Sequence, residues 1–235
     1  MKGSFPCHVE IFKTKQALCE DKTTPCAILN YKFNTENIIV FDRGVQSRKT
    51  FEKFSENQIQ FVTRIKTDVL FKIISSNTKT LKPDNSSVTI KNDLTVLLKN
   101  ADSKWILTPM RLIQAVIDKT GEDIYFLTNI EDLSAYEIAF VYKQRLDIEV
   151  FFKFLKQELN LGHIVSRNEN GITVIIYMTF ILSILLIAYK KLNKLDGYKI
   201  PKLNFSHELE AYIIKEIVIL CGGNPFKMKH LFNDD

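Results

Sequence analysis

Cysteine is scarce in this chain, and its spacing suits neither cross-linking nor metal binding. Four are present, Cys7, Cys19, Cys26 and Cys221, with no CxxC pairing. No signal-peptide pattern precedes them, so reduced thiols in a cytoplasmic setting are expected rather than disulfides. Histidine is equally thin: His8, His163, His207 and His230 are scattered, and Cys7-His8 is the one close pair, which argues against a zinc site. No repeat or low-complexity tract occurs, which excludes a repeat architecture. Tryptophan occurs once, at Trp105.

Charge is nearly balanced. With 32 Lys and Arg against 27 Asp and Glu, the net charge is +5 and the sequence pI about 8.9. That mild excess is compatible with a nucleic-acid partner and is also common in proteins that never touch one. At 235 residues and 46% hydrophobic, the chain can bury a substantial core in one or two units. One long uncharged run stands out, the 18 residues from Ile172 to Tyr189. It reaches the lower range for a membrane span, about 17 residues, with Lys190 and Lys191 as interfacial anchors. Thr173, Tyr177, Thr179 and Ser183 dilute it, as in a core helix.

The most informative stretch is Tyr142 to Lys156, YKQRLDIEVFFKFLK. Tyr142, Arg145, Glu149, Lys153 and Lys156 fall at helical spacing, so one face of a helix would carry them all. Ile148, Phe151, Phe152 and Leu155 form a second, apolar stripe. A lone acid among a phenol, a guanidinium and two ammoniums suits phosphate and metal chemistry: the carboxylate can ligate Mg²⁺, and Arg145 and the lysines can grip phosphates. The plain alternative is an i,i+4 ion pair between Arg145 and Glu149. A second acid, Asp42, ends the apolar run Ile38 to Phe41, which reads as a buried strand. An acid at the C-terminal end of such a strand sits where α/β sheets open to ligands.

Tyr, two residues, Arg, three residues, Glu, six residues, Lys resembles the signature of DDE-type insertion-sequence transposases, and more narrowly of the IS-four family. IIVFDRG resembles the strand of the family's second Asp, with Val45 where a Tyr is usual. FVTRIK (Phe61 to Lys66) and YFLTN (Tyr125 to Asn129) resemble the following core strand and the strand before the signature helix. The resemblance runs in order from about residue 15 to about residue 200. It implies an α/β, RNase H-like mixed sheet flanked by helices. Asp42 and Glu149 are then catalytic and metal-ligating, for Mg²⁺ with Mn²⁺ as substitute, in two-metal phosphoryl transfer. Tyr142, Arg145, Lys153 and Lys156 would hold DNA phosphates, without reading sequence. The implied partner is double-stranded DNA at the terminal repeats, bound by a homodimer in a synaptic complex, with no membrane. Trp105 is expected to pack in a small β core, and the resemblance adds a second role, stacking a flipped base.

The family's first Asp is not found. Asp21-Lys22-Thr23-Thr24 echoes its context, yet the 20 residues between Asp21 and Asp42 cannot hold two strands of about 5 residues and a helix of about 11. Glu20 and Asp21 read better as acids opening a helix. The expectation is a transposase lacking its N-terminal part, inactive by itself. Its alternatives are a non-catalytic DNA-binding remnant, or a small membrane-associated protein using helix 172–189.

The expected organisation is a C-terminal part of the core sheet over 1–66, a β-rich insertion over 67–131, the signature and long apolar helices over 132–200, and a helical tail over 201–235. Within it a remnant strand is expected at Cys7 to Phe12, helices near Ser47 to Ser55 and Glu208 to Leu220, and a helix capped by Ser134 or Asp132. The apolar run 172–189 is expected to pack as a soluble helix against the sheet or the signature helix.

Overall fold

The computed structural model describes residues 9–12, 19–31, 36–77, 80–100 and 102–227. The chain forms two compact units, Glu10–Ile148 and Glu149–Asp235 together with Met1–Val9.

The first unit is built on one sheet. Helix α1 (Glu20–Asn30) precedes β1 (Ile38–Phe41), α2 (Arg48–Glu56) and β2 (Gln60–Ile65); β3 (Phe71–Ser76), β4 (Val88–Leu98), β5 (Met110–Ile117) and β6 (Asp123–Thr128) follow, then α3 (Ala135–Lys143). The strands order β1-β2-β6-β5-β4-β3. β1 and β2 run parallel, with α2 as the crossover such a pair requires, and the other neighbours are antiparallel. The strands of 67–131, β3 to β6, extend the sheet that β1 and β2 begin, because β6 pairs with both β2 and β5.

Alternation along the strands divides the core into two faces. Phe61, Leu112 and Leu127 join Phe41, Phe51 and Phe54 beneath α1 and α2. The four phenylalanines meet at centroid distances of 5.4 to 6.2 Å, Phe41, Phe51 and Phe61 stacked and Phe54 edge-on to Phe41 and Phe61. Val62, Ile113 and Phe126 face the other way, towards Ile138 and Ala139 of α3. β4 serves both faces. Val88 and Ile90 pack towards α3 while Leu94, Val96 and Leu98 pack on the opposite side, and the register shift between Ile90 and Asn92 makes the switch.

α3 begins at Ser134, whose hydroxyl accepts from the Glu137 amide at 3.3 Å while the Glu137 carboxylate accepts from the Ser134 amide at 2.7 Å. It does not continue through the signature. It ends at Lys143, and α4 (Leu146–Glu158) starts after a tight turn. Amides of Gln144, Arg145, Asp147 and Ile148 all bond carbonyls three residues back, at 2.9 to 3.1 Å. The single helical face expected for Tyr142 to Lys156 is therefore interrupted: Tyr142 lies on α3, Arg145 in the turn, and Glu149, Lys153 and Lys156 on α4.

The second unit comprises most of α4 with α5 (Glu169–Leu192) and α6 (Lys199–Leu220). Phe151, Phe154 and Leu155 of α4 pack with Leu186 and Ile187 of α5, flanked by Tyr198 and Phe205. The apolar run thus packs on the continuation of the signature stretch along one face. Its opposite face, Val174, Met178, Ile181 and Leu185, is exposed. By length and composition α5 could cross a membrane. Lys190, a candidate anchor, lies over the Tyr198 ring at 4.4 Å.

Two local expectations are corrected. Val9–Phe12 carry no strand, and Cys7 and His8 lie outside the described residues. The terminal helix starts at Lys199 rather than Glu208, because Pro201 sits in its first turn, where a missing amide costs nothing.

Candidate active site

β1 delivers Asp42 to its C-terminal end, beside the parallel neighbour β2. One carboxylate oxygen accepts from the Arg43 amide at 2.7 Å and from the Tyr142 hydroxyl at 3.3 Å. The other lies 3.6 Å from Arg145 Nη1. Two signature residues a hundred positions downstream therefore meet the strand-end acid. The 3₁₀-like turn makes this possible, since side chains three residues apart then eclipse one another and reach the same point. Arg145 also lies over the Tyr142 ring at 5.8 Å, and that ring leans on Phe126 at 5.2 Å. Burial, then the Asp42 charge, push the Tyr142 phenol above its ordinary value, with Arg145 opposing.

Asp42 opens on a cleft of about 800 Å³. Its basic groups are Arg43, Arg64, Lys143 and Arg145, and its apolar wall includes Ile117, Phe126 and Phe140. A second hollow, about 790 Å³, also reaches Asp42 and adds Lys66, Asp68, Glu122 and Asp123. Arg64 pairs with Glu122 at 2.8 Å. Arg43 and Arg64 were legible only in outline: one follows the acid directly, and the other interrupts the apolar strand FVTRIK.

Asp21 has a different task. One of its oxygens accepts from the Gln46 and Ser47 amides at 2.8 and 3.1 Å, which fixes the loop between Asp42 and α2. Glu149, Lys153 and Lys156 are exposed on α4 in the second unit. Trp105 is 43% exposed rather than buried in a β core. It lies on the excursion between β4 and β5, bridged to Lys99, whose ammonium stands 5.9 Å from the ring centroid.

Among the described residues no three His, Cys, Asp or Glu side chains gather to hold a metal ion. At Asp42 the oxygens face a guanidinium and a phenol, so the residues as arranged do not fit a divalent cation.

A mixed six-stranded sheet flanked by helices, with an acid ending its parallel pair, defines an α/β fold of RNase H-like type. The family model described as "Transposase DDE domain" matches residues 12–185, and the chain belongs to this family. It is 27% identical over 167 residues to a protein described as a transposase in Sinorhizobium fredii, covering 71% of this chain and 46% of that one. It is 29% identical over 154 residues to the transposase described for insertion sequence element IS5377 of Geobacillus stearothermophilus, covering 65% and 39%. With that described for element IS4SA of Synechocystis sp. it shares 25% over 205 residues, covering 76% and 59%. The chain thus spans about half the length of the curated relatives it matches. Domains of this family generally depend on a divalent metal.

Proposed function

We propose that this chain is the portion of an insertion-sequence transposase of the IS-four family that grips DNA and carries two catalytic carboxylates, Asp42 and Glu149. In this reading it binds double-stranded DNA at the element's terminal repeats, as one half of a homodimeric synapse, and belongs to the cytoplasmic, nucleoid-associated compartment. Tyr142, Arg145, Lys153 and Lys156 contact backbone phosphates. The cation called for is Mg²⁺, with Mn²⁺ as substitute. No step is derived through it, because the described residues do not assemble its ligands.

One observation carries the reading. Asp42 is contacted by Tyr142 and Arg145, the two residues that the signature spaces before Glu149, across a sequence separation no local structure requires. The basic lining of the Asp42 cleft supports a polyanionic ligand.

The test is a gel-shift and cleavage assay on duplexes carrying terminal repeats, in Mg²⁺ and then in Mn²⁺. Binding is expected, weakening steeply as salt rises, and so is absence of cleavage by this chain alone. Failure to bind at low salt would overturn the reading. Turnover abolished by Glu149→Gln would keep the reading and show that a further acid completes the site.

A further inference from the structure

Asp42 to Ser47 join β1 to α2 with neither helix nor strand. Asp42 and Arg43, at the start of this segment, line the cleft, and with Gly44 they are exposed. Val45 anchors the middle, fully buried in the cluster of Phe41, Phe51 and Phe54. The far end lacks an anchor from α2 itself. The Ser47 hydroxyl makes no capping bond, and Thr50 stands where a capping box would place a Glu or Gln to hold the Ser47 amide.

Asp21 supplies that acceptor from another helix. It lies in the first turn of α1, which Ile28 seats in the same core as Val45. One oxygen accepts from the Gln46 and Ser47 amides at 2.8 and 3.1 Å. Bonds from amides to a carboxylate are about twice as strong as neutral ones. From Gln46 the bonding runs on towards the cleft. The Gln46 side-chain amide donates to the Arg43 carbonyl, and Arg48 Nη1 donates to the Gln46 carbonyl at 2.6 Å. The Arg43 amide in turn donates to the Asp42 carboxylate at 2.7 Å. Each link restrains the residue that makes the next.

We propose that Asp21 is a positioning residue for Asp42 and Arg43: from α1 it holds Gln46, and through Gln46 the Arg43 backbone that orients the Asp42 carboxylate. The acid whose sequence context echoes a first catalytic Asp thus serves the site without touching its ligand. This placement is independent of the transposase reading. Its consequence, an Arg43 held ready for a backbone phosphate at the cleft, rests on that reading.

Amide exchange of the full chain without DNA, followed residue by residue by NMR, tests the relay. Asp21→Ala should speed exchange of the Gln46 and Ser47 amides about fivefold, the factor a helix-cap acceptor is worth, and speed the Arg43 amide with them. Burial and the Asp42 charge hold the Tyr142 phenol above its ordinary value, and its hydroxyl donates to Asp42. Asp21→Ala should therefore also bring the Tyr142 absorbance titration part of the way back. Asp21→Asn, which keeps an acceptor oxygen, should show smaller changes of the same kind. Gln46→Ala cuts the relay in its middle, so Arg43 and Tyr142 should move while the Ser47 amide keeps its protection. A cap that merely starts α2 would change Gln46 and Ser47 alone. Arg43 and Tyr142 unmoved in both Asp21→Ala and Gln46→Ala would overturn the proposal, and should Asp21→Ala not fold, Asp21→Asn and Gln46→Ala make the same comparison. Low-salt affinity for a short duplex, by fluorescence anisotropy, should fall in Asp21→Ala. Unchanged affinity in a variant whose Arg43 and Tyr142 have moved would uphold the positioning and count against the transposase reading instead.

Discussion

Asp93 on β4 is held by Arg111 of β5 through both oxygens, and Asn77 adds a third donor at 2.8 Å. The remaining Arg111 Nη1 donates to the Ile130, Glu131 and Leu133 carbonyls, which fixes the loop leading into α3. Removing one partner leaves the other charge stranded in the interior, at a cost of about 3–5 kcal/mol. Arg111→Met should therefore lower stability in urea denaturation by about that much; a loss near that of an exposed pair, about 0–1 kcal/mol, would show that water reaches Asp93. The Tyr142 phenol gives a second measurement at this scale. Burial first, then the Asp42 charge, raise it above its ordinary 10.0. A group raised in the folded state adds stability that is complete below pH 10 and is lost as pH climbs through the raised value. Absorbance difference titration of wild type against Tyr142→Phe should show this tyrosine ionising later than the bulk, and Asp42→Asn should bring it part of the way back. Coincidence with the bulk would deny the contact. Asp42 was legible because an acid ending an apolar strand is conspicuous. Asp93 and Arg111 were not, because a charge within a strand ordinarily reads as its wet face.

α3 and α4 show how element boundaries escape a periodic pattern. Tyr142, Arg145, Glu149 and Lys156 keep helical spacing, and no Gly or Pro marks a break between them. The break comes from the tighter bonding of Gln144 to Ile148, which brings Tyr142 and Arg145 onto one acid. Nothing local announces it. The start of α3, by contrast, was legible in Ser134, where the residue three positions on is a Glu able to close a capping box. Ser134→Ala should cost about 1 kcal/mol in chemical denaturation, and no measurable loss would mean that neighbouring contacts alone hold the helix end. The Glu137 carboxyl lies below its ordinary value because the Ser134 hydroxyl and amide bond its charged form. That contribution is present above the ordinary carboxylate range and is lost as pH falls through the depressed value. α5 was legible as a long apolar helix, but not which side it would bury. Thr179 and Ser183 turn inward with Leu186 and Ile187, their hydroxyls satisfied by carbonyls of the preceding turn. Val174, Met178, Ile181 and Leu185 are left outward as a continuous stripe. An apolar stripe of that length on an open face favours association. Replacing all four with Gln should reduce sedimentation-detected self-association of the purified chain while leaving its circular dichroism unchanged; unaltered association would place the sticky surface elsewhere.

At the scale of the whole chain, two units divide the signature between them. Asp42, Tyr142 and Arg145 belong to the sheet unit, and Glu149, Lys153 and Lys156 to the helical one. Order along the chain made the strands and helices legible, whereas the neighbours in the sheet were not. β6 inserts between β2 and β5, and β4 changes face at a bulge, and both depend on pairings distant in sequence. The proposal that Asp42 and Glu149 serve one site has a direct measurement. Spin labels on cysteines introduced at Gln46, four positions after Asp42, and at Val150, which follows Glu149, in a background without Cys7, Cys19, Cys26 and Cys221, report the separation of the two segments. Two carboxylates that serve one phosphoryl-transfer site require their segments to be close neighbours, so a narrow short-distance distribution in the presence of duplex DNA is expected. A separation of the order of a domain diameter, about 30 Å, would remove Glu149 from the site and with it the catalytic half of the reading. DNA binding answers separately, because it draws on phosphate contacts rather than on the acids. If Arg145, Lys153 and Lys156 each neutralise a phosphate, each charge removed should flatten the plot of log affinity against log salt by about 0.9. Lys153→Gln and Lys156→Gln should therefore each lower the salt slope by about one contact, and Glu149→Gln should leave it unchanged. A slope insensitive to both lysines would confine the DNA surface to the sheet unit, where Arg43, Arg64, Lys143 and Arg145 line the Asp42 cleft.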